Sequence, residues 1–442
     1  MARTNQAWRL LAYLFILALL CGSYLTGIEK VPYSGDESDW ITTSQYWDAF
    51  ISGRFPPHAT MVHLGWGEHY WTLTQPPLAR YLIGIGRSFG GFGVDGLNYE
   101  YNWQLSWDEN LALGNVVQGK LLWWSRLPMA ILAIGSGTIL FYMVEQAFGL
   151  HAAVATILLF VANPYLKNTL RNAMGESGLL FFTLCSMALS YTGIKSWAAF
   201  HQKGISAEGG KRMGIPLFWM WFLLAGAAAG LAGATKINGL MTILSLMSIC
   251  SLLPALSNNT YNQHQLKKAF LLAISTGCIA LLIFILVNPF LYPYPLIRIL
   301  KMYSFRLVEM GIQSNMFPSS TFPCLADRVL RIGQQVFESC ATIRFSNAWL
   351  LNLTLTMVGL IALIQHTRPS HIQRNGALAL LLVPLPLVLA ALATPLDFER
   401  YYLVAEVYST LCIACGAGWL LRKLSAWRLL WPKQLANPHP RT

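Results

Sequence analysis

Ten runs of mostly apolar residues divide the chain, at about residues 8–28, 121–144, 150–165, 174–194, 215–233, 238–256, 269–288, 347–365, 376–394 and 402–421. A helix needs about 20 largely apolar residues to cross the hydrocarbon core of a bilayer. Inside that core each backbone N–H and C=O must be satisfied within its own segment, so such runs fold as helices. The pattern predicts an all-α polytopic membrane protein with about ten transmembrane helices. Composition agrees: 55% of the 442 residues are hydrophobic and 11% are charged, against roughly 25% charged in soluble chains. A soluble enzyme, a disordered chain and a disulfide scaffold are excluded. The first run, Trp8 to Ile28, is long for a signal peptide and lacks a clean small-residue cleavage site, so it reads as a retained first helix.

Charge sets the orientation. The net charge of +12 could suggest nucleic acid, but its distribution argues otherwise. With the N-terminus inside, the inner connectors hold about half of the Lys and Arg but only two acids, Glu145 and Glu208. The excess positive charge is therefore a topology signal of the positive-inside kind, and no nucleic-acid partner is needed. Both termini are expected in the cytoplasm. Two long outer loops result, at about 29–119 and 288–346, both rich in Trp, Tyr and Phe. Loops this long in a compact chain are usually functional, and the aromatics suit interfacial helices. The whole chain, 1–442, reads as one integral-membrane domain. Gly226, Gly230 and Gly233 in the fifth run suggest a close helix–helix contact.

Side chains that can do chemistry collect on the outer side. Ser34-Gly35-Asp36-Glu37-Ser38-Asp39 follows the first span. Ser34 with Glu37 fits a capping box at the start of a helix. Asp36 then falls in the first turn, near the positive end of the helix dipole, where an ionised carboxylate can take a proton from an incoming hydroxyl. The alternative for Asp36 is a solvated loop acid. Thr74-Gln75-Pro76-Pro77-Leu78 stiffens the chain before another apolar stretch, and Ser125-Arg126-Leu127-Pro128 opens the second span. Arg126 either snorkels or holds an anionic head group. Arg171 precedes Glu176 by five residues at the start of the fourth span; an acid at such an edge is paired or functional. Lys236 is alone in a tiny, otherwise neutral outer loop, as a phosphate ligand or a snorkelling cation. Asp397-Phe398-Glu399-Arg400-Tyr401-Tyr402 forms the last outer turn, where Arg400 can grip a phosphate with its planar fork. The tyrosines suit either that site or the interface.

Other signals are weaker. His58, His63, Glu68 and His69 share the first loop but match no zinc spacing, so no metal site is expected; a divalent metal stays possible but unsupported. Cys324 and Cys340 both fall in the second outer loop, where an oxidising compartment would permit a disulfide. Cys412 and Cys415 lie inside an apolar run and read as helix packing. Asn258-Asn259-Thr260 has the form of a glycosylation acceptor but falls on the inner side.

These residues, in this order and on one side of the membrane, resemble the GT-C glycosyltransferases, closest to the protein O-mannosyltransferase and aminoarabinose-transferase group. The resemblance rests on Asp36-Glu37, Gln75-Pro76-Pro77-Leu78, Ser125-Arg126-Leu127, Arg171 to Glu176, Thr235-Lys236 and Arg400-Tyr401. It covers roughly residues 8 to 402. It implies an inverting glycosyltransferase that moves a sugar from a polyprenyl-phosphate carrier to an acceptor hydroxyl at the extracytoplasmic face. It implies Asp36 as the base, Glu37 and Glu176 as further catalytic carboxylates, and Arg126, Arg171, Lys236, Arg400 and Tyr401 as ligands of the donor phosphate. Such a leaving group needs charge stabilisation more than a proton, so one base and a few cations suffice. The departures are Gln75, where relatives carry a basic residue or His, and an end soon after the tenth span. The expected partners are the lipid-linked donor, membrane lipid and an acceptor that is a protein, a lipid glycan or a polysaccharide. The competing reading is a transporter or flippase for an anionic lipid, which would more often show inverted repeats and broken helices; neither is visible. A non-catalytic assembly subunit is a third reading. Lean loops and the absence of a retention signal favour a bacterial plasma membrane.

Overall fold

The computed structural model describes residues 2–53, 70–204, 216–256, 263–292, 294–322, 324–367, 374–382 and 385–435. The histidine group of the first loop and the Asn258 acceptor motif lie outside the described residues. Among the described residues there is no strand, only one isolated antiparallel bridge between Thr321 and Leu396. Eight helices are long and apolar enough to cross a membrane: α1 (Ala7–Leu25), α2 (Gly119–Phe148), α3 (Glu176–Phe200), α4 (Leu217–Thr235), α5 (Ile237–Ala255), α6 (Gln263–Val287), α7 (Ala348–His366) and α8 (Glu399–Leu424). The third expected run forms a shorter helix, Leu150–Ala162. In the ninth, the described residues Arg374–Leu382 and Leu385–Ala393 are helical. Eight of the expected runs are thus spanning helices among the described residues.

Small residues decide how closely the spans approach. A Cβ on Gly226 of α4 would lie 2.5 Å from the Thr276 carbonyl oxygen of α6, and one on Gly230 would strike the Ala280 carbonyl. Gly359 of α7 meets the backbone of Cys412 on α8 in the same way. Cys412 and Cys415 are buried free thiols within this packing. Cys324 and Cys340 are also free: Cys324 is exposed, whereas Cys340 is buried and its thiol points to Gln335 Oε1 at 3.7 Å. The pairing that the sequence leaves open is thus not made in this structure. Near the inner connectors, Arg9 and Tyr13 of α1 both reach Glu145 of α2, at 3.3 and 2.6 Å.

The first long loop builds a platform of short helices. Gly35–Thr42 begins at Ser34, whose extended backbone and capping box with Glu37 set the first turn. Leu78–Phe89 lies against α2, with Gly86 facing the Trp124 carbonyl and Pro128. Its two buried arginines are anchored below the platform. Arg87 donates to Ser44 Oγ at 2.8 Å and pairs with Asp48. Arg80 donates to Thr43 Oγ1 at 2.8 Å and lies under the rings of Trp40, Tyr46 and Trp71 at 5.0–5.6 Å. In the second loop, Pro295–Met316 exposes Leu296, Leu300, Tyr303 and Leu307 on one face and buries Met302 and Glu309 on the other. That three-to-four-residue spacing marks an amphipathic helix.

Replacing Gly230 by Val should lower the thermal midpoint in detergent, because overpacking a tight crossing costs about 1–3 kcal/mol; an unchanged unfolding curve would remove the α4–α6 contact from the fold's requirements.

Candidate active site

A cavity of about 1660 Å³ opens between the two outer loops and the ends of the spans. Its wall takes side chains from the platform, from Pro295–Met316, from the segment before α3, from Lys236 and from the last turn. Tyr401 is the centre of one side. Its hydroxyl accepts Arg306 Nη2 at 2.9 Å. Lys236 Nζ and the Arg400 guanidinium both lie 5.8 Å from its ring centre. Three cations, two of them at the start and end of different helices, therefore converge around one phenol.

Each of these cations has a carboxylate. Arg400 pairs with Asp36, both about a quarter exposed. Lys236 Nζ is 2.6 Å from Glu176 Oε1, and Arg306 Nη1 is 2.5 Å from Glu309 Oε2. Glu309 is held further by the Tyr70 hydroxyl at 2.7 Å and Gln313 Nε2 at 3.0 Å. The partner of Glu176 is Lys236 and not Arg171. Arg171 instead donates to the carbonyls of Lys167 and Thr26, at 2.8 and 3.0 Å.

Glu37 and Arg126 are placed differently from the expectation. Both side chains are fully buried and bond each other through two contacts, Nε to Oε1 at 2.8 Å and Nη2 to Oε2 at 2.6 Å. Arg126 Nη1 donates to the carbonyls of Ile28 and Val31 at 2.9 and 3.0 Å. Glu37 also accepts the backbone N–H of Ala173 at 2.7 Å and that of Ser34 at 3.2 Å. With their bonding capacity filled inside the protein, neither lines the cavity, and neither does Arg171. These three lie behind the cavity wall. Asp36, Glu176, Lys236, Arg400 and Tyr401 do line it.

The sequence reading passed over Arg306, Glu309, Tyr70 and Asp39. Asp39 had a visible signal: it follows Asp36 by one helical turn and so shares its face. Burial, followed by the nearby Glu100 carboxylate, pushes its carboxyl up to about 8. Arg306 and Glu309 are an i,i+3 pair on an amphipathic stretch, a spacing that is common on solvated helices and so carries little information by itself. Among the described residues no group of three or more His, Cys, Asp or Glu is placed to hold a metal.

Helical spans around a cavity lined by paired carboxylates and cations define the class: the fold is that of the GT-C membrane glycosyltransferases. The chain belongs to the dolichyl-phosphate-mannose-protein mannosyltransferase family, which it matches over residues 66–293. No curated protein sequence matches it. Among solved structures it is similar to ArnT from Cupriavidus metallidurans in the apo state, with 15% identity and a TM-score of 0.52 over 94% of this chain and 60% of that one. The same protein bound to undecaprenyl phosphate aligns at 14% identity and TM-score 0.50, over 93% and 60%. The apo oligosaccharyltransferase of Archaeoglobus fulgidus aligns at 13% identity and TM-score 0.54, over 100% of this chain and 53% of that one. The chain thus spans between about half and three-fifths of the length of these proteins.

Two outcomes test the supports and the raised acid. Arg126→Ala strands a buried carboxylate and should cost about 3–5 kcal/mol, read as a large fall in thermal midpoint. Asp39 is protonated in the fold up to about pH 8 but ionises near 3.8 when unfolded. Its contribution is full below pH 3.8 and is lost as pH rises to about 8. Asp39→Asn should therefore flatten the decline in thermal midpoint between pH 5 and 8; an unaltered slope would assign that decline to other groups.

Proposed function

We propose that this chain is an inverting glycosyltransferase that moves a sugar from a polyprenyl-phosphate carrier to an acceptor hydroxyl at the outer membrane face. The observation that carries the reading is the cluster of Lys236, Arg306 and Arg400 around Tyr401, with the Asp36 carboxylate against Arg400. Family membership supports it, as does the likeness of fold to a protein bound to undecaprenyl phosphate. The positive-inside pattern supports an outer cavity and cytoplasmic termini, and the lean loops support a bacterial plasma membrane. Both long loops contribute side chains to the cavity, in keeping with a single domain over 1–442.

The chemistry follows from charge. Each cation is neutralised by its own acid. A donor phosphate offers Arg400, Lys236 and Arg306 a second anion. As Arg400 turns to the phosphate, Asp36 is released. Its carboxylate then takes the proton from the acceptor O–H while the acceptor oxygen attacks the anomeric carbon. The bond from that carbon to the phosphate oxygen breaks on the opposite side, which inverts the configuration. The electron pair goes to the phosphate, where fixed cations stabilise it without reorganising. Glu176 holds Lys236 in place. Glu37 and Arg126 position the helix that bears Asp36.

A transporter would need the anionic ligand to pass through, and the cations would then serve transit rather than a leaving group. Asp36→Asn separates the readings. We expect transfer from undecaprenyl-phosphate mannose to fall by at least about 100-fold, in line with loss of a general base. Binding of undecaprenyl phosphate should be kept or strengthened, since an anion competing for Arg400 is gone. Undiminished product formation by this variant would remove Asp36 from the mechanism.

A further inference from the structure

The cavity wall is acidic although the chain is basic. Among the described residues, eight Asp or Glu and three Lys or Arg line it, against a net charge of +12 for the whole chain. Each of the three cations is already held by its own acid, and Asp397 is paired with Arg331 at 2.6 Å. Asp39, Asp95, Glu100 and Glu399 line the cavity with no cation paired to them among the described residues. A cleft lined by one sign of charge concentrates ligands of the other sign.

Asp39 is the most constrained of these acids. It is 6% exposed, and the Tyr101 N–H donates to its Oδ1 at 3.2 Å. Its Oδ2 takes no hydrogen bond and, unlike the sealed polar atoms of the interior, keeps accessible surface on the cavity. Glu100 stands beside it, held through Oε1 by Trp71 Nε1 at 2.8 Å. The nearby cation, Arg80, is buried, does not line the cavity, and donates to Thr43 Oγ1 and to the carbonyls of Trp71 and Gln75. The cavity side of both acids is left bare. Tyr101 and Trp103 cover the first turn of the same helix: a Cβ on Gly35 would lie 2.9 Å from Tyr101 and 3.0 Å from Trp103. Two carboxylates beside aromatic rings suit an organic cation, which can bond to the first and lie on the second. A metal would ask for three or more protein ligands, and no such group is placed here among the described residues.

We infer that Asp39 and Glu100, with the rings of Tyr101 and Trp103, form an acceptor subsite that takes a cationic group, an ammonium or a guanidinium, of the molecule whose hydroxyl is glycosylated. Asp36 enters as the base of the transfer reading above, on which this assignment rests. Asp36 and Asp39 are three positions apart on one helix, so their Cβ atoms lie about 5–6 Å apart on one face. The reacting hydroxyl at the first and the cationic group at the second are therefore near neighbours in the acceptor. An anionic acceptor is disfavoured on the same ground, because the donor phosphate occupies the three cations and leaves acids to meet it. Burial and the Glu100 carboxylate push the Asp39 carboxyl up, and a cation seated there restores its ionised form.

Three blocked tetrapeptides serve as probes, alanine-X-threonine-alanine with lysine, glutamine or glutamate at X. Their equilibrium binding to purified full-length protein is measured at low salt, where charge is least screened. Wild type should bind the lysine peptide about 10-fold or more tighter than the glutamine peptide, the scale of one hydrogen bond to a charged group, and the glutamate peptide weakest of the three. In Asp39→Asn the lysine preference should shrink to about threefold or less, and in Glu100→Gln to an intermediate value. Affinity of both variants for undecaprenyl phosphate should stay within about twofold, since separate sites act independently, which also shows that the variants are folded. Equal affinity for the three peptides, tightest binding of the glutamate peptide, or no measurable binding of any would overturn the subsite. So would a lysine preference that survives in both variants, or one that is lost only together with lipid binding. If wild type fails to bind undecaprenyl phosphate but keeps a lysine preference that Asp39→Asn removes, the cationic site stands and the donor reading falls.

Discussion

The buried pair of Glu37 and Arg126 holds the outer half of the molecule together. Two charges at zero exposure cost several kcal/mol to desolvate, and only near-complete bonding compensates. The fold supplies it: the guanidinium takes two carboxylate contacts and two backbone carbonyls, and the carboxylate takes two backbone N–H groups. Through these bonds one side-chain pair links the end of α1, the first turn of Gly35–Thr42, span α2 and the segment before α3. Two of the three acids that pair with the cations, Asp36 and Glu176, lie next to this junction in sequence. Their separation across the cavity depends on it.

This division of labour explains a motif that looks redundant. Asp36 and Glu37 are adjacent acids, yet successive helical positions point about 100° apart. One therefore faces the cavity while its neighbour faces the protein. The family resemblance treats the pair as one signature. In the structure one member of the signature lines the cavity and the other is buried against Arg126.

Much of the architecture was legible from the sequence. Apolar length alone located the ten helical runs, and the glycine spacing in α4 announced its crossing with α6. Five of the eight expected site residues line the cavity, since isolated charges at span ends have few other places to go. The three that do not, Glu37, Arg126 and Arg171, show the limit. A charge beside a site and a charge behind it have the same sequence signature, and only the partners distinguish them. Lys236 was read as a phosphate ligand, but its bond to Glu176 spans 60 positions and no local pattern reports it. Arg306 and Glu309 escaped notice for the opposite reason: their i,i+3 spacing looks like any surface pair, and the tertiary fold turns it inward.

The matched charges around Tyr401 have a consequence for the crowded surface on which the protein works. Bulk phospholipids present phosphates in great excess over any rare carrier. Three uncommitted cations would form a trap that these abundant head groups would fill. Because Arg400, Lys236 and Arg306 each already hold a carboxylate, an incoming phosphate gains only the difference between two anions. Charge alone then confers little advantage, and occupancy falls to the lipid that brings additional contacts. On the proposed function, internal neutralisation makes the pocket a discriminator among phosphates rather than a sink for them.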